Sequence, residues 1–323
     1  MKELFILAVV TVFTLLTYYL VEPFAHSQMH KHIESEGFAY KDLPALTKKG
    51  DAARGKELVM GAGACAGCHG IEVEGMPAPM DPVTASQSYG INPPDLSNAG
   101  AVFDPKFLAA LIKNPVHALM IEHIFDANKG QMYPMTSFYG AGGDLDQEVA
   151  DMVAYLQSIA PKAEELTPAM AFETACGRCH AIHYPYVKDG EAHPAWTQIG
   201  EKPTFKHKQD ELAFETKLLD YQDALIKYKM GALPPDLSMY IRSRSEHYIK
   251  TFVENPQNYF KGTAMPRVGV NAESAEKIIE HLEDVGDSKR HMREEVGKNV
   301  MIYIIIFALF AILWKKEVWR DLH

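Results

Sequence analysis

Cys65-Ala66-Gly67-Cys68-His69 and Cys176-Gly177-Arg178-Cys179-His180 are two copies of one pattern, C-x-x-C-H, and together they use all four cysteines of the chain. The pattern is the attachment signature of c-type haem. Two thiols one helical turn apart can each add to a vinyl group of a porphyrin, and the His that follows reaches the iron from the same side. Other uses of paired cysteines compete with this one. Zinc takes C-x-x-C pairs, but it does not need a His directly after each second Cys. A thioredoxin-like site belongs beside a βαβ pattern, and the sequence has none. A disulfide framework would scatter its cysteines, and a chain of 323 residues does not need such staples. Chance accounts poorly for two such motifs that leave no cysteine over. The expectation is two covalently bound haem c groups. One sits on Cys65 and Cys68 with His69 as an axial iron ligand, the other on Cys176 and Cys179 with His180.

The surroundings repeat as well, which strengthens the reading. Pro93-Pro94-Asp95-Leu96-Ser97 follows the first motif and Pro234-Pro235-Asp236-Leu237-Ser238 the second. Each leads into a helix-like stretch ending in Asn114-Pro115 or Asn255-Pro256. A Met-containing loop comes next: Gln131-Met132-Tyr133-Pro134-Met135-Thr136-Ser137-Phe138 in one copy, Thr263-Ala264-Met265-Pro266 in the other. Each copy closes with an amphipathic helix, predicted from Leu145, Val149, Met152, Val153 and Leu156 on one face, and from Ile278, Ile279, Leu282 and Val285. Proline fixes φ and donates no hydrogen bond. Pro94 and Pro235 are therefore expected to wall a haem pocket and to leave a carbonyl free for the axial His ring N–H. A plain turn before a helix, capped near Asp95 and Asp236, is compatible with that.

The order C-x-x-C-H, Pro, Met, closing helix resembles that of the small cytochromes c. The resemblance implies a mainly α fold, with short helices wrapped around each haem and His and Met on opposite faces of the iron, which raises the reduction potential. It makes Met265 a ligand of the second haem. For the first it favours Met135, because Met-x-x-Phe before a closing helix matches the family pattern. Met132 stays open as the alternative, and a Met is more often packing material than a ligand.

Composition sets outer limits. The net charge is −10, with 47% hydrophobic and 23% charged residues, which describes globular material with room for two domains. Nucleic acid is excluded as a partner, since phosphate binding needs clustered Lys and Arg. The negative balance either steers basic proteins toward the chain or keeps it soluble. Leu4 to Val21 carries no charge and is long enough to span a bilayer. Glu22-Pro23-Phe24-Ala25-His26 offers no small-x-small cleavage site, so a retained anchor is preferred to a cleaved signal. Val300 to Trp314 is a second apolar run, with Lys298 and Lys315 able to snorkel at its ends. Lys315, Lys316 and Arg320 predict a cytoplasmic C-terminus. Two spans then place the N-terminus on the same side and everything between them on the other face. In a bacterium this means an inner-membrane protein with its haem domains in the periplasm. The expected organisation is mainly α: two cytochrome c-like haem domains in tandem between N- and C-terminal transmembrane helices. Residues 1–25 form an anchor, 26–50 a linker, 51–161 and 162–290 the haem domains, 296–316 the second anchor and 317–323 a cytoplasmic tail.

From about Phe172 onward the chain resembles cytochrome c1, the haem subunit of the cytochrome bc1 quinol–cytochrome c oxidoreductase. The markers are Gly231-Ala232-Leu233-Pro234-Pro235-Asp236-Leu237-Ser238, Arg242-Ser243-Arg244, Asn258-Tyr259-Phe260, the Met265 loop, and one apolar span followed by Lys315-Lys316 and Trp319. The added first haem domain departs from the common single-haem pattern and matches the di-haem variant of some bacteria, especially epsilon-type proteobacteria. The resemblance implies Arg242 and Arg244 near haem propionates; by charge alone they are equally surface residues. It also implies a dimeric complex with a cytochrome b subunit and a Rieske iron–sulfur protein. Electrons would pass from the Rieske protein through the chain to a downstream cytochrome c, oxidase or peroxidase. The chain shows no catalytic triad or metal cluster of its own, and His117, His123, His183, His193 and His207 read as surface or packing residues. The alternatives are a membrane-anchored di-haem peroxidase, which needs one iron with an open position, a haem c subunit of a haem–copper oxidase, and a haem-based sensor.

Overall fold

The computed structural model describes residues 2–30, 35–188 and 190–320. Uncharged apolar sequence forms α1 (Lys2–Leu16), which runs through a π-helical turn at Thr17–Val21 into α2 (Glu22–His30). The window Lys2–Ala25 has a mean hydropathy of 2.4 and none of it is buried.

The first unit is built from short helices that start on capping residues. These are α3 (Ala52–Met60), α4 (Pro82–Tyr89), α5 (Ala99–Val102), α6 (Pro105–Lys113), α7 (Pro115–Ala118) and α8 (Leu145–Ile159). Asp51, Asp81, Asp104, Asn114 and Asp144 each accept amide hydrogen bonds at a helix start, and α4, α6 and α7 have Pro in the first turn. Each cap contributes about 1 kcal/mol. The second unit comprises α9 (Pro168–Ala175), α10 (Lys208–Ala224), α11 (Tyr240–Ser243), α12 (Glu246–Glu254), α13 (Pro256–Tyr259) and α14 (Ala272–Gly286), of which α9, α12, α13 and α14 start on the capping side chains of Thr167, Ser245, Asn255 and Asn271. Two small antiparallel hairpins lie between α9 and α10, β1 (Tyr186–Lys188) with β2 (Glu191–His193) and β3 (Trp196–Thr197) with β4 (Gly200–Glu201). The last helix, α15 (Arg290–Arg320), contains the second apolar window, with mean hydropathy 2.2 and no burial.

In both units the helix before the cysteine motif packs on the closing helix, α3 on α8 and α9 on α14. The first crossing is backbone-close. A Cβ on Gly55 would lie 1.9 Å from the carbonyl oxygen of Asp151. Arg54 on α3 reaches the buried Glu148 and Asp151 on α8, at 3.5 and 3.4 Å.

One core runs through both units. Phe103, Phe107, Val149 and Val153 of the first pack in the same cluster as Phe172, Ile241, Val270 and Ile278 of the second. Each fully buried side chain of this size contributes about 1.5–3 kcal/mol. Backbone bonds stitch the halves: Asp104 N to Gly269 O at 2.9 Å, Asn271 N to Val102 O at 3.0 Å and Arg267 N to Leu119 O at 2.9 Å.

The segment expected as a linker, 26–50, departs from that description. Its first part continues α2, and residues 35–50 strap across both units. Phe38, Tyr40 and Leu43 are buried in the shared core. The amide of Phe38 donates to Glu254 at 2.8 Å, the Tyr40 hydroxyl to the Val270 carbonyl at 2.6 Å, and Lys106 to the Ala39 carbonyl at 2.6 Å. Apolar side chains every few residues had nowhere else to go.

Gly269 sits where the units meet, at φ +77°, and a Cβ there would come within 2.1 Å of the Phe107 ring. Gly269→Ala is expected to lower the unfolding free energy by about 2–4 kcal/mol. Gly297→Ala, where nothing lies within 4 Å, serves as the control. Denaturant titration in detergent measures both, and equal stability would mean the halves are not packed there.

Candidate functional site

Each cysteine motif occupies a single turn. In the first, the Cys65 carbonyl accepts from the amides of Cys68 and His69 at 3.1 and 2.9 Å. In the second, Cys176 accepts from Cys179 and His180 at 3.0 and 2.9 Å. Ala64 enters the first turn with φ +49°, a left-handed conformation unusual without glycine. All four thiols are free.

His69 Nδ1 lies 2.7 Å from the Pro94 carbonyl oxygen, and His180 Nδ1 lies 2.8 Å from that of Pro235. A carbonyl can only accept, so the proton is on Nδ1 and Nε2 keeps its lone pair. Burial holds both imidazoles below the usual His pKa, against the Pro carbonyl bond, which raises it. A neutral ring with a fixed tautomer is what iron ligation requires.

The turns beneath are closely alike. Leu96 N donates to Gly70 O at 2.9 Å and Leu237 N to Ala181 O at 3.0 Å. Asp95 takes the amides of Glu72 and Ser97 at 3.0 and 2.8 Å; Asp236 takes those of His183 and Ser238 at 3.2 and 3.1 Å. Ser97 accepts the Val73 amide at 3.1 Å, whereas Ser238 shares the His183 amide with Asp236, at 2.8 Å. Asn114 and Asn255 start α7 and α13 with φ,ψ of −150°,85° and −150°,86°.

The thiols of Cys65, Cys176 and Cys179 are not tuned for redox exchange. Burial pushes Cys65 and Cys179 up and carries Cys176 to about 12, whereas reactive thiols lie low. Among the described residues no group of three or more His, Cys, Asp or Glu side chains converges as a metal site. Two free thiols and a neutral, oriented imidazole on one turn are the donor set of haem c.

The first unit has the fold and donor set of a c-type cytochrome. Residues 52–160 match the family model of cytochrome c. A cytochrome c domain implies covalently bound haem c and suggests a role in electron transfer. No curated protein and no solved structure matches the chain. The two apolar helices are long enough to span a bilayer.

The other expected site residues fall in two groups. Met135 is half-buried, while Met132 is 70% exposed. The loop carrying them returns to the first site through Phe138, whose amide donates to Ile112 O at 2.9 Å and whose ring packs in the cluster that contains Cys65 and Leu96. Met265 is half-buried, on a loop whose Thr263 carbonyl accepts from Gln257 and from the His123 ring, both at 3.0 Å. Arg242 and Arg244 are exposed and line a depression of about 620 Å³ with His247, Asp287, Arg290 and Arg293, whose lining includes none of His180, Pro235 and Met265.

Three side chains that the sequence did not single out support the second motif. Trp196 Nε1 donates to Gly177 O at 2.9 Å, and a Cβ on Gly177 would come within 2.5 Å of that nitrogen. The Tyr221 hydroxyl donates to Arg178 O at 2.8 Å. Glu173 lines a small cavity with Phe172, Trp196 and His281. Burial, then the Glu201 charge, pushes its carboxyl up to about 7. Trp196 and Tyr221 come from the stretch 190–231, whose role the sequence leaves open. No local pattern could have found them.

Replacing Cys65 and Cys68 together by Ala is expected to remove haem that survives denaturing electrophoresis from the first site. Met135→Ala is expected to abolish a far-red methionine-to-iron charge-transfer band that Met132→Ala leaves in place; the reverse result would reassign the ligand. Glu173 gives a pH prediction. Its folded pKa is raised, so its contribution to stability is full below about 4.5 and is lost as pH rises through about 7. Glu173→Gln should flatten that slope in thermal unfolding across the same window.

Proposed function

We propose that the chain is a membrane-anchored di-haem cytochrome serving as the cytochrome c1-like subunit of a quinol–cytochrome c oxidoreductase. The observation that carries the reading is the recurrence of one ligand-holding turn, His69 to Pro94 at 2.7 Å and His180 to Pro235 at 2.8 Å. A second haem c on Cys176 and Cys179 explains why the later unit repeats the earlier one down to its caps. The Gly231–Ser238 string and the apolar helix after the second unit favour the c1-like assignment. Lys315 pairs with Glu3 at 2.6 Å, so the start of α1 and the end of α15 lie together. That suits two spans with both termini on the cytoplasmic side and the haem units in the periplasm.

Haem supplies reversible one-electron exchange at iron when bound. The chain's part is binding, orientation and tuning. Pro94 and Pro235 fix the imidazoles; Met265 in the second unit and Met135, or Met132, in the first would be the further iron ligands in this reading, and they would favour a high potential. In this relay a Rieske protein beside a cytochrome b subunit delivers an electron at the second site. The electron leaves from the first site toward a cytochrome c, an oxidase or a peroxidase.

Purification of the native complex in mild detergent tests the proposal. The expected result is co-purified cytochrome b and Rieske protein with two low-spin haems c per chain. Absence of both partners, together with a high-spin haem that reacts with peroxide, would overturn it in favour of a di-haem peroxidase.

A further inference from the structure

One side chain of the second motif reaches the wall of the first. Arg178 stands between Cys176 and Cys179, and its Nη1 donates to the Asn92 carbonyl at 3.1 Å. Asn92 is two residues before Pro94, the residue whose carbonyl holds His69. Tyr221, fully buried, closes the connection from behind. Its hydroxyl donates to the Arg178 carbonyl at 2.8 Å and lies 3.4 Å from the Asn92 amide. The Arg178 Nε is buried and has no hydrogen-bond partner. The guanidinium is held near both sites, and among the described residues no carboxylate pairs with it.

Arg178 thus stands at both sides of the junction, between the two cysteines of the second motif and in hydrogen-bond contact with the segment that leads to Pro94. Tyr133 belongs to the Met132–Met135 loop, yet it also feels Cys179. The loop of the first site and the motif of the second thus share one neighbourhood. Arginine stays protonated at any working pH, and a buried charge is little screened by salt. A fixed cation near an iron disfavours the ferric form relative to the ferrous form.

We propose that Arg178 is a positioning residue shared by the two sites: it ties the second attachment motif to the loop that orients His69, and its permanent charge raises the reduction potentials of both haems. This rests on the di-haem reading above. It also gives the Cys-Gly-Arg-Cys-His string a reason for each variable position, Gly177 under the Trp196 indole and Arg178 across the junction.

The test is a spectroscopic redox titration of the full-length chain in detergent, with haem counted per chain. A variant with Cys65 and Cys68 replaced by Ala identifies the wave that belongs to the second site. Arg178→Gln should move the first-site wave to lower potential, by an amount that does not change with pH, and move the second-site wave in the same direction. Arg178→Lys should restore most of the shift, because it returns the charge without the planar fork. An unmoved first-site wave, or a lysine variant no better than glutamine, would overturn the role of Arg178. One haem per chain in the unmodified protein would instead sink the di-haem reading. Should Arg178→Gln fail to accumulate, Tyr221→Phe removes the hydroxyl clamp and no charge. It should lower the same wave by a smaller amount, and no shift there would overturn the proposal.

Discussion

The hydrogen bond from a histidine ring to a proline carbonyl organises each site. A ligand imidazole has to be neutral and must present one particular nitrogen, and it must do so before any iron is there to orient it. Burial alone would keep His69 and His180 neutral but would leave the tautomer free. The Pro94 and Pro235 carbonyls fix it. That demand propagates outward. The carbonyl has to be held still, so proline sits at that position, and Asp95 with Ser97, or Asp236 with Ser238, pins the turn to the strand of chain after the motif. The turn in turn sets where the next helix begins.

The close crossing of α3 and α8 plays the complementary part. It brings the two ends of the first unit together, and Gly55 lets it happen at backbone contact. The crossing buries Glu148 and Asp151: Glu148 accepts two backbone amides, Asp151 Oδ1 accepts the Asp51 amide, and both carboxylates lie within ion-pair distance of Arg54, although Asp151 Oδ2 has no hydrogen-bond partner. Buried carboxylates are tolerable only with such partners. The charge pattern of the closing helix is therefore a consequence of how closely the helices approach.

What the sequence made legible is what obeys local rules. The cysteine motifs, the Pro-Pro-Asp-Leu-Ser turns and the Asn-Pro starts have fixed offsets, and a repeat doubles the signal. The closing helices show their apolar stripe at Leu145–Leu156 and Ile278–Val285. Contacts made across the chain carry no such mark. Phe38 and Tyr40 adopt positive φ because the strap they belong to is gripped by Glu254 and Val270, more than 200 residues later. Arg178 reads as a variable residue in its motif until the fold places Asn92 beside it. The fold also places Arg242 and Arg244 in one depression with Arg290 and Arg293, a grouping that their spacing in the sequence does not show.

Sharing one core between two units has a physical consequence that a flexible linker would not have. A tethered pair samples many separations, and any exchange between its sites waits for the productive one. Here Gly269 lies against Phe107, Phe103 bridges to Val270, and the 35–50 strap spans both halves. The geometry between the two motifs is therefore set once, at folding, and no entropy is lost in re-forming it at each event. The cost is independence. Each unit leaves part of its apolar face to be covered by the other, so neither is expected to be stable alone, and the junction around Arg178 exists only when both are folded.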